Sequence, residues 1–288
     1  MPRLSVLFLI LSALFASAAH AQAQRTVERT LDLAPGGHVE LDTHSGHINV
    51  ESWDEPRVAV EVRIDGDEQE HVDKTKIRFD HSGDELTIES DFDALSNGLT
   101  LFGISLFQSP TQRPDTDYTV RMPRTAALTL DVYSADASVP ALEAPLTFDG
   151  YSGDLQADHV AGEVSVDTYS GDAQIDRLDG RLAGDTYSGD VQVDSLAGSA
   201  TFDAYSGSAT LTFAALTGEC AFDTYSGDIA VTLPSSTGAV IETTVDALNT
   251  DLPVQLEQRD DRIRATLGEG GPRLRFNTYS GTLTLRSE

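Results

Sequence analysis

The chain has almost none of the residues that would staple it covalently or let it grip a polyanion. Of its 288 residues one is cysteine, Cys220, one is tryptophan and two are methionine. A lone thiol makes no intramolecular disulfide, so backbone pairing and burial must hold the fold. Lysine occurs only at Lys74 and Lys76, and 19 basic side chains stand against 47 acidic ones, a formal charge of −28. Phosphate contacts need a basic surface, which makes nucleic acid and acidic membranes poor partners and favours cations or a basic protein surface. After the first 21 residues no apolar run is long enough for an integral membrane span. A Walker loop, a dinucleotide glycine motif and a Ser-His-Asp order are all missing, and the carboxylates are spread evenly rather than clustered beside a base. An enzyme is therefore not the expected class. Such acidity often means disorder, but 40% of residues are hydrophobic and they alternate with polar ones.

Residues 1–21 read as a secretory signal peptide: Arg3, an apolar Leu4–Ala18 segment and a small-x-small Ala19-His20-Ala21 site. No cysteine follows to carry a lipid. The expected location is outside the cytoplasm, periplasmic or extracellular.

What the chain does have is repetition. Tyr-Ser-Gly or a near copy recurs at Tyr133, Tyr151, Tyr169, Tyr187, Tyr205 and Tyr225, four times at 18-residue intervals and once at 20. A further copy begins at Tyr279, 54 residues on, or three more periods. A period this short marks a solenoid whose coils cannot bury an apolar face alone. Within one period, Leu155 and Ala157, then Val164 and Val166, alternate with polar residues across two turns, one Ser-Gly and one ending in Gly162. Down the repeats three inward columns emerge: Ala137, Leu155, Ala173, Val191, Ala209, Ile229; Val139, Ala157, Ile175, Val193, Leu211, Val231; and Leu146, Val164, Leu182, Ala200, Cys220. The expected fold class is all-β, a two-sheet β-solenoid (β-helix-like) with an 18-residue coil repeat and coils about 4.8 Å apart. Cys220 is then a small core residue.

The outward positions are as regular. Asp131, Asp149, Asp167, Asp185, Asp203 and Asp223 precede each Tyr by two residues; Asp136, Asp154, Asp172, Asp190 and Asp228 follow the turn; Asp158, Asp176 and Asp194 form a third column. Like charges one rung apart repel by about 0.9 kcal/mol in water and more where partly desolvated. Bound cations, a basic partner or raised carboxyl pKa values would relieve this. Calcium on Asp149, Asp154, Asp167, Asp172, Asp185 and Asp190 is one expectation, since stacked carboxylates are hard oxygen ligands; the turn resembles the calcium β-roll repeat in part, lacking its paired glycines. The alternative is a solvated face that keeps a stacked β-fold soluble. The tyrosines, the candidate interaction surface, stack on one another or form a platform for a glycan. His44, His47 and His81 could be taken for zinc ligands, but His44 and His81 occupy the Tyr place of the repeat.

Three segments are expected: the signal peptide at 1–21, degenerate solenoid coils at 22–124 with a loop at about 92–115, and regular coils at 125–288. In the second, Thr43-His44-Ser45-Gly46 and His81-Ser82-Gly83 look like weakened coil turns. The uncharged run Leu99–Phe107 is either a buried hairpin or an exposed apolar loop. Unprotected coil ends would leave end-to-end or edge association open.

A signal peptide, a degenerate strand-rich first half, an entry at Met122-Pro123 and tandem Thr-x-Ser-Gly-Asp coils together resemble the DUF4097 family of toastrack-like, adhesin-like β-strand repeat proteins. The resemblance covers roughly residues 30–288. It implies a solenoid at the bacterial envelope and no catalytic residues. The function expected is an exported non-enzymatic scaffold presenting Tyr/Asp surfaces to an envelope protein or glycan, with no cofactor. A calcium-dependent adhesion module is the alternative, and a polysaccharide-active β-helix enzyme the more distant one.

Overall fold

In a computed structural model, residues 23–92, 95, 100–101, 104–105, 113–243, 248–259 and 262–287 are described. The signal-peptide segment and most of Leu99–Phe107 lie outside them; within that run, Thr100–Leu101 pairs antiparallel with Ile104–Ser105 apart from the main sheet.

The fold is the all-β solenoid that the repeat requires. Between residues 127 and 233 every coil pairs in parallel with the next, in a register that places Leu155 on Ala173, Ala173 on Val191, Val191 on Ala209 and Ala209 on Ile229, with one shift around Leu196, which lies on Phe213. All three inward columns are buried, Cys220 included. The interior adds a corner column, Leu142, Val160, Leu178 and Leu196, and an aromatic one, Phe148, Phe202, Phe222 and Phe276. Gly184 belongs to the latter: a Cβ there would lie 2.8 Å from the Phe202 ring, which fills the space. Each large aliphatic or aromatic side chain so buried stabilises the fold by about 1.5–3 kcal/mol relative to exposure.

One difference from the expected coil concerns the second turn. Strands Ala173–Thr186 and Val191–Ala204 run through Gly180 and Gly198 without losing their pairing. The chain bends there instead of breaking, because a Cβ on Gly198 would sit 1.6 Å from the carbonyl oxygen of Gly180 and glycine alone allows the approach. The two faces are thereby joined into one 23-stranded hydrogen-bonded sheet.

Both ends depart from chain order. The coil carrying Tyr279 does not lie three rungs beyond Tyr225. Strands Arg273–Thr278 and Leu283–Ser287 pair directly with Cys220–Thr224 and Ile229–Leu233, and Ala239–Thr243 and Leu248–Thr250 pair on the far side of them. The last coil is thus threaded between two earlier ones, and the 54-residue interval is an insertion and not three periods. Beyond it, Val254–Arg259 and Arg262–Leu267 add antiparallel strands. At the other end His38–Thr43 stacks on Ala127–Val132, while Ala23–Asp32 and Arg57–Gly66 pair antiparallel. His81 and Ser82 end the first strand of an antiparallel hairpin, Lys76–Ser82 with Glu85–Asp91, whose turn lies at Gly83 (φ 69°) and Asp84, and is not a coil turn. Antiparallel strands at both ends change the hydrogen-bonding direction, so a second parallel coil cannot simply continue the stack.

The Ser-Gly turns depend on an equally close approach. A Cβ on Gly153, Gly171, Gly189, Gly207, Gly227 or Gly281 would fall 1.7–2.1 Å from a carbonyl oxygen of the preceding coil. Gly189→Ala must therefore push two coils apart, and a loss of at least about 1–3 kcal/mol is expected in chemical denaturation. Gly36→Ala, at a position open around its Cβ but of positive φ (80°), should cost only the smaller backbone strain of about 1 kcal/mol.

Candidate functional site

The turn motif is held partly within each turn and partly by the coil beside it. At two turns the threonine is a cap: Thr168 Oγ1 accepts the Gly171 N–H at 2.9 Å, and Thr278 Oγ1 accepts that of Gly281 at 2.9 Å, whereas Thr224 Oγ1 donates to the Gly227 carbonyl at 3.1 Å. The serine hydroxyls of Ser134, Ser152, Ser170, Ser188 and Ser206 donate to the main-chain oxygen at the ring position one coil earlier, at 3.1–3.4 Å. The aspartate after the turn accepts a backbone N–H from the next coil: Asp136 from Asp154, Asp154 from Asp172, Asp172 from Asp190 and Asp190 from Ser208, at 2.8–3.0 Å. Asp228 does the same for Thr282, and Asp117 for His47. These carboxylates satisfy backbone donors that the turn geometry leaves without a carbonyl. Burial pushes the Asp117 carboxyl up, but hydrogen bonds from Arg63 and His47 outweigh it and hold the group below its ordinary range.

The tyrosines form one column of near-parallel rings. From Tyr133 to Tyr279 successive centroids lie 4.7–5.1 Å apart with interplanar angles of 3–7°. His44 extends the column, 4.6 Å from Tyr133, and Phe92 meets His44 edge-on. Planes this close to parallel at that distance must be offset, the arrangement the ring quadrupole favours. The faces are spent on one another. What Tyr133 to Tyr225 show to solvent, at 45–51% exposure, is edge and hydroxyl. A sugar platform would need open faces.

Asp131, Asp149, Asp167, Asp185, Asp203 and Asp223 form the parallel column two residues away, extended by Asp42 and Glu89 at one end and Asn277 at the other. Between the columns runs a groove of about 1040 Å³, with Thr43, Thr168, Thr186 and Thr224 on its floor and Phe92 and Arg113 at the His44 end. Arg113 stands 5.5 Å from the Phe92 ring centroid. Desolvation raises the carboxyl pKa of Asp42, Asp131, Asp167 and Asp203, and neighbouring carboxylates add to it, Asp149 and Asp185 in the case of Asp167. Burial lowers the pKa of His44, with help from Arg113.

The structure thus divides the six aspartates considered for calcium. Asp149, Asp167 and Asp185 line the groove, while Asp154, Asp172 and Asp190 already hold backbone N–H groups. Among the described residues no three His, Cys, Asp or Glu side chains converge as a metal site. His44 stacks, His47 faces Asp117 and His81 faces the Gly83 carbonyl. Cys220 is free and buried, its thiol pushed up to about 11 by burial. The contributions of Asp42, His44 and Asn277 were present in the chain as the frames Asp42-Thr43-His44-Ser45-Gly46 and Asn277-Thr278-Tyr279-Ser280-Gly281, which match Asp167 to Gly171. Nothing in the sequence marks Phe92 and Arg113.

The family model of Toastrack DUF4097 matches residues 37–286. Among solved structures the chain is similar to a candidate adhesin from Bacteroides fragilis (12% identity, 92% of this chain and 97% of that one, TM-score 0.48). It is also similar to a candidate lipid-binding protein from Parabacteroides distasonis (12%, 92% and 97%, TM-score 0.41) and a candidate cell adhesion protein from Clostridium sporogenes (14%, 92% and 100%, TM-score 0.30). A search of curated proteins gave no match.

Removing a ring with a neighbour on both faces tests the stack: Tyr187→Ala should cost about 1–3 kcal/mol in equilibrium denaturation, and an unchanged midpoint would remove stacking as a source of stability. The charge column has its own test. A carboxyl whose folded pKa lies above its unfolded value favours the fold when protonated; that stability is complete below the ordinary value of 3.8 and is lost as pH rises through the raised one. Asp167→Asn should therefore raise the free energy of unfolding at pH 7, and with it the melting temperature, the former by about 1 kcal/mol or less once solvent screening is counted. The gain should vanish near pH 3.5.

Proposed function

The chain belongs to the Toastrack DUF4097 family, and we propose that it serves as an exported, non-enzymatic scaffold that binds an elongated, positively charged partner at the cell envelope along the Tyr/Asp groove. The observation that carries this reading is the groove itself: a continuous concave strip with carboxylates on one wall and ring edges and hydroxyls on the other. A field of one sign between low-dielectric walls concentrates ligands of the opposite sign. Acid–base catalysis needs groups driven to different pKa values. Here Asp131, Asp167 and Asp203 are all driven the same way, by the same causes, which favours binding over turnover.

Calcium-dependent adhesion is the second reading, favoured by carboxylate rungs about 4.8 Å apart, close enough for one ion to touch two of them. In that case millimolar calcium, and not magnesium, would raise the melting temperature.

The third aspartate column supplies a charge-matched control for the main reading. Labelled oligolysine should bind the protein at low salt, followed by fluorescence anisotropy. Combined Asp149→Asn, Asp167→Asn and Asp185→Asn should abolish most of that binding, whereas Asp158→Asn, Asp176→Asn and Asp194→Asn together should preserve it. Equal losses in the two triple variants would mean that net charge acts alone and that the groove is not the site.

A further inference from the structure

If the groove is a cation-binding strip, the reading on which this inference rests, the spacing of its parts selects among cations. Successive rungs are 4.7–5.1 Å apart, as the tyrosine centroids record, and the groove aspartates share that register residue for residue. An extended peptide places side chains of one face roughly 6.6–6.8 Å apart, so a basic strand along the groove drifts out of step within two or three rungs. Two amines joined by three methylenes are separated by four bonds, about 5 Å when extended; a fourth methylene makes this about 6 Å. We infer that the groove is a site for a linear polyamine with trimethylene spacers, lying parallel to the coil axis with one ammonium group per carboxylate.

The second wall suits the rest of such a ligand. Methylene groups meet the tyrosine ring edges, and the phenol oxygens, aligned at the same interval, accept N–H bonds that the carboxylates leave over. The floor adds an open valence: Thr186, at the middle of the groove and 2% exposed, has a buried hydroxyl with no hydrogen-bond partner. The ends set the reach. Asn277 replaces the carboxylate at one, where its amide donates to Asp223; Arg113 stands at the other beside Phe92. An ammonium chain thereby has the rungs from Asp42 to Asp223 to lie along, roughly 29 Å of axis. That is long enough for a tetraamine, which spans about 15 Å. Bound ammonium groups would also offset what drives the carboxyl groups of Asp131, Asp167 and Asp203 upward, desolvation first and the neighbouring carboxylates second.

The test compares two tetraamines of equal charge by titration calorimetry on the full protein: norspermine, with three trimethylene spacers, and its analogue with three tetramethylene spacers. Norspermine should bind more tightly, by on the order of tenfold. That preference should disappear in the Asp149, Asp167, Asp185→Asn variant and persist in the Asp158, Asp176, Asp194→Asn variant. The groove variant should fold, since Asn277 already occupies that column, and the other changes only exposed side chains. Equal affinity of the two tetraamines, or tighter binding of calcium than of norspermine at matched ionic strength, would overturn the inference. Oligolysine binding at the groove would then show whether the broader cationic reading survives. If neither tetraamine nor oligolysine binds, both fail together.

Discussion

The distance between one coil and the next governs this molecule. At about 4.8 Å per rung, whatever a residue presents at its edge is met by the same residue of the following coil. Properties that would be minor in an isolated loop are therefore multiplied. Serine hydroxyls find the main-chain oxygen of the ring residue below, aspartates find the N–H above, and glycines pass so close to a carbonyl that no side chain fits. The motif persists because the same contacts recur from coil to coil.

The same rule creates the molecule's main internal conflict. Aspartates in register repel, and those facing the groove are partly desolvated as well. The tyrosines two residues away are stacked by the same geometry and offset part of that repulsion, each pair by about 0.5–1.5 kcal/mol. A wall of attraction runs beside a wall of repulsion. On the proposed reading, the groove between them lowers its energy by taking up positive charge, and a structural repeat would acquire a binding property without any residue set apart for it.

Much of this was legible in the sequence because a solenoid writes its contacts at a fixed interval. The 18-residue spacing of Tyr133 to Tyr205 gives the coil, the inward columns and the ring column together. The division of labour between the two aspartate columns was not legible: Asp154 and Asp149 look alike until the turn brings one onto a backbone N–H and the other onto the groove. The position of the Tyr279 coil was likewise hidden. Its interval from Tyr225 is an integral number of periods, yet pairing inserts it directly on the Tyr225 coil, since strand order in a sheet is free to depart from chain order. Phe92 and Arg113 reach the groove from outside the repeat, where periodicity carries no information.

On the proposed reading, burial and the register together hold the groove carboxylates at unfavourable charge, and a bound cation releases them from it. The most direct measurement is an NMR titration of the aspartate carboxyl carbons, alone and saturated with norspermine. Asp131, Asp167 and Asp203 should titrate above the ordinary aspartate range in the free protein and fall on binding, while Asp117, held low by Arg63 and His47, stays low throughout. Groove aspartates that titrate at ordinary values and do not respond to the polyamine would contradict it.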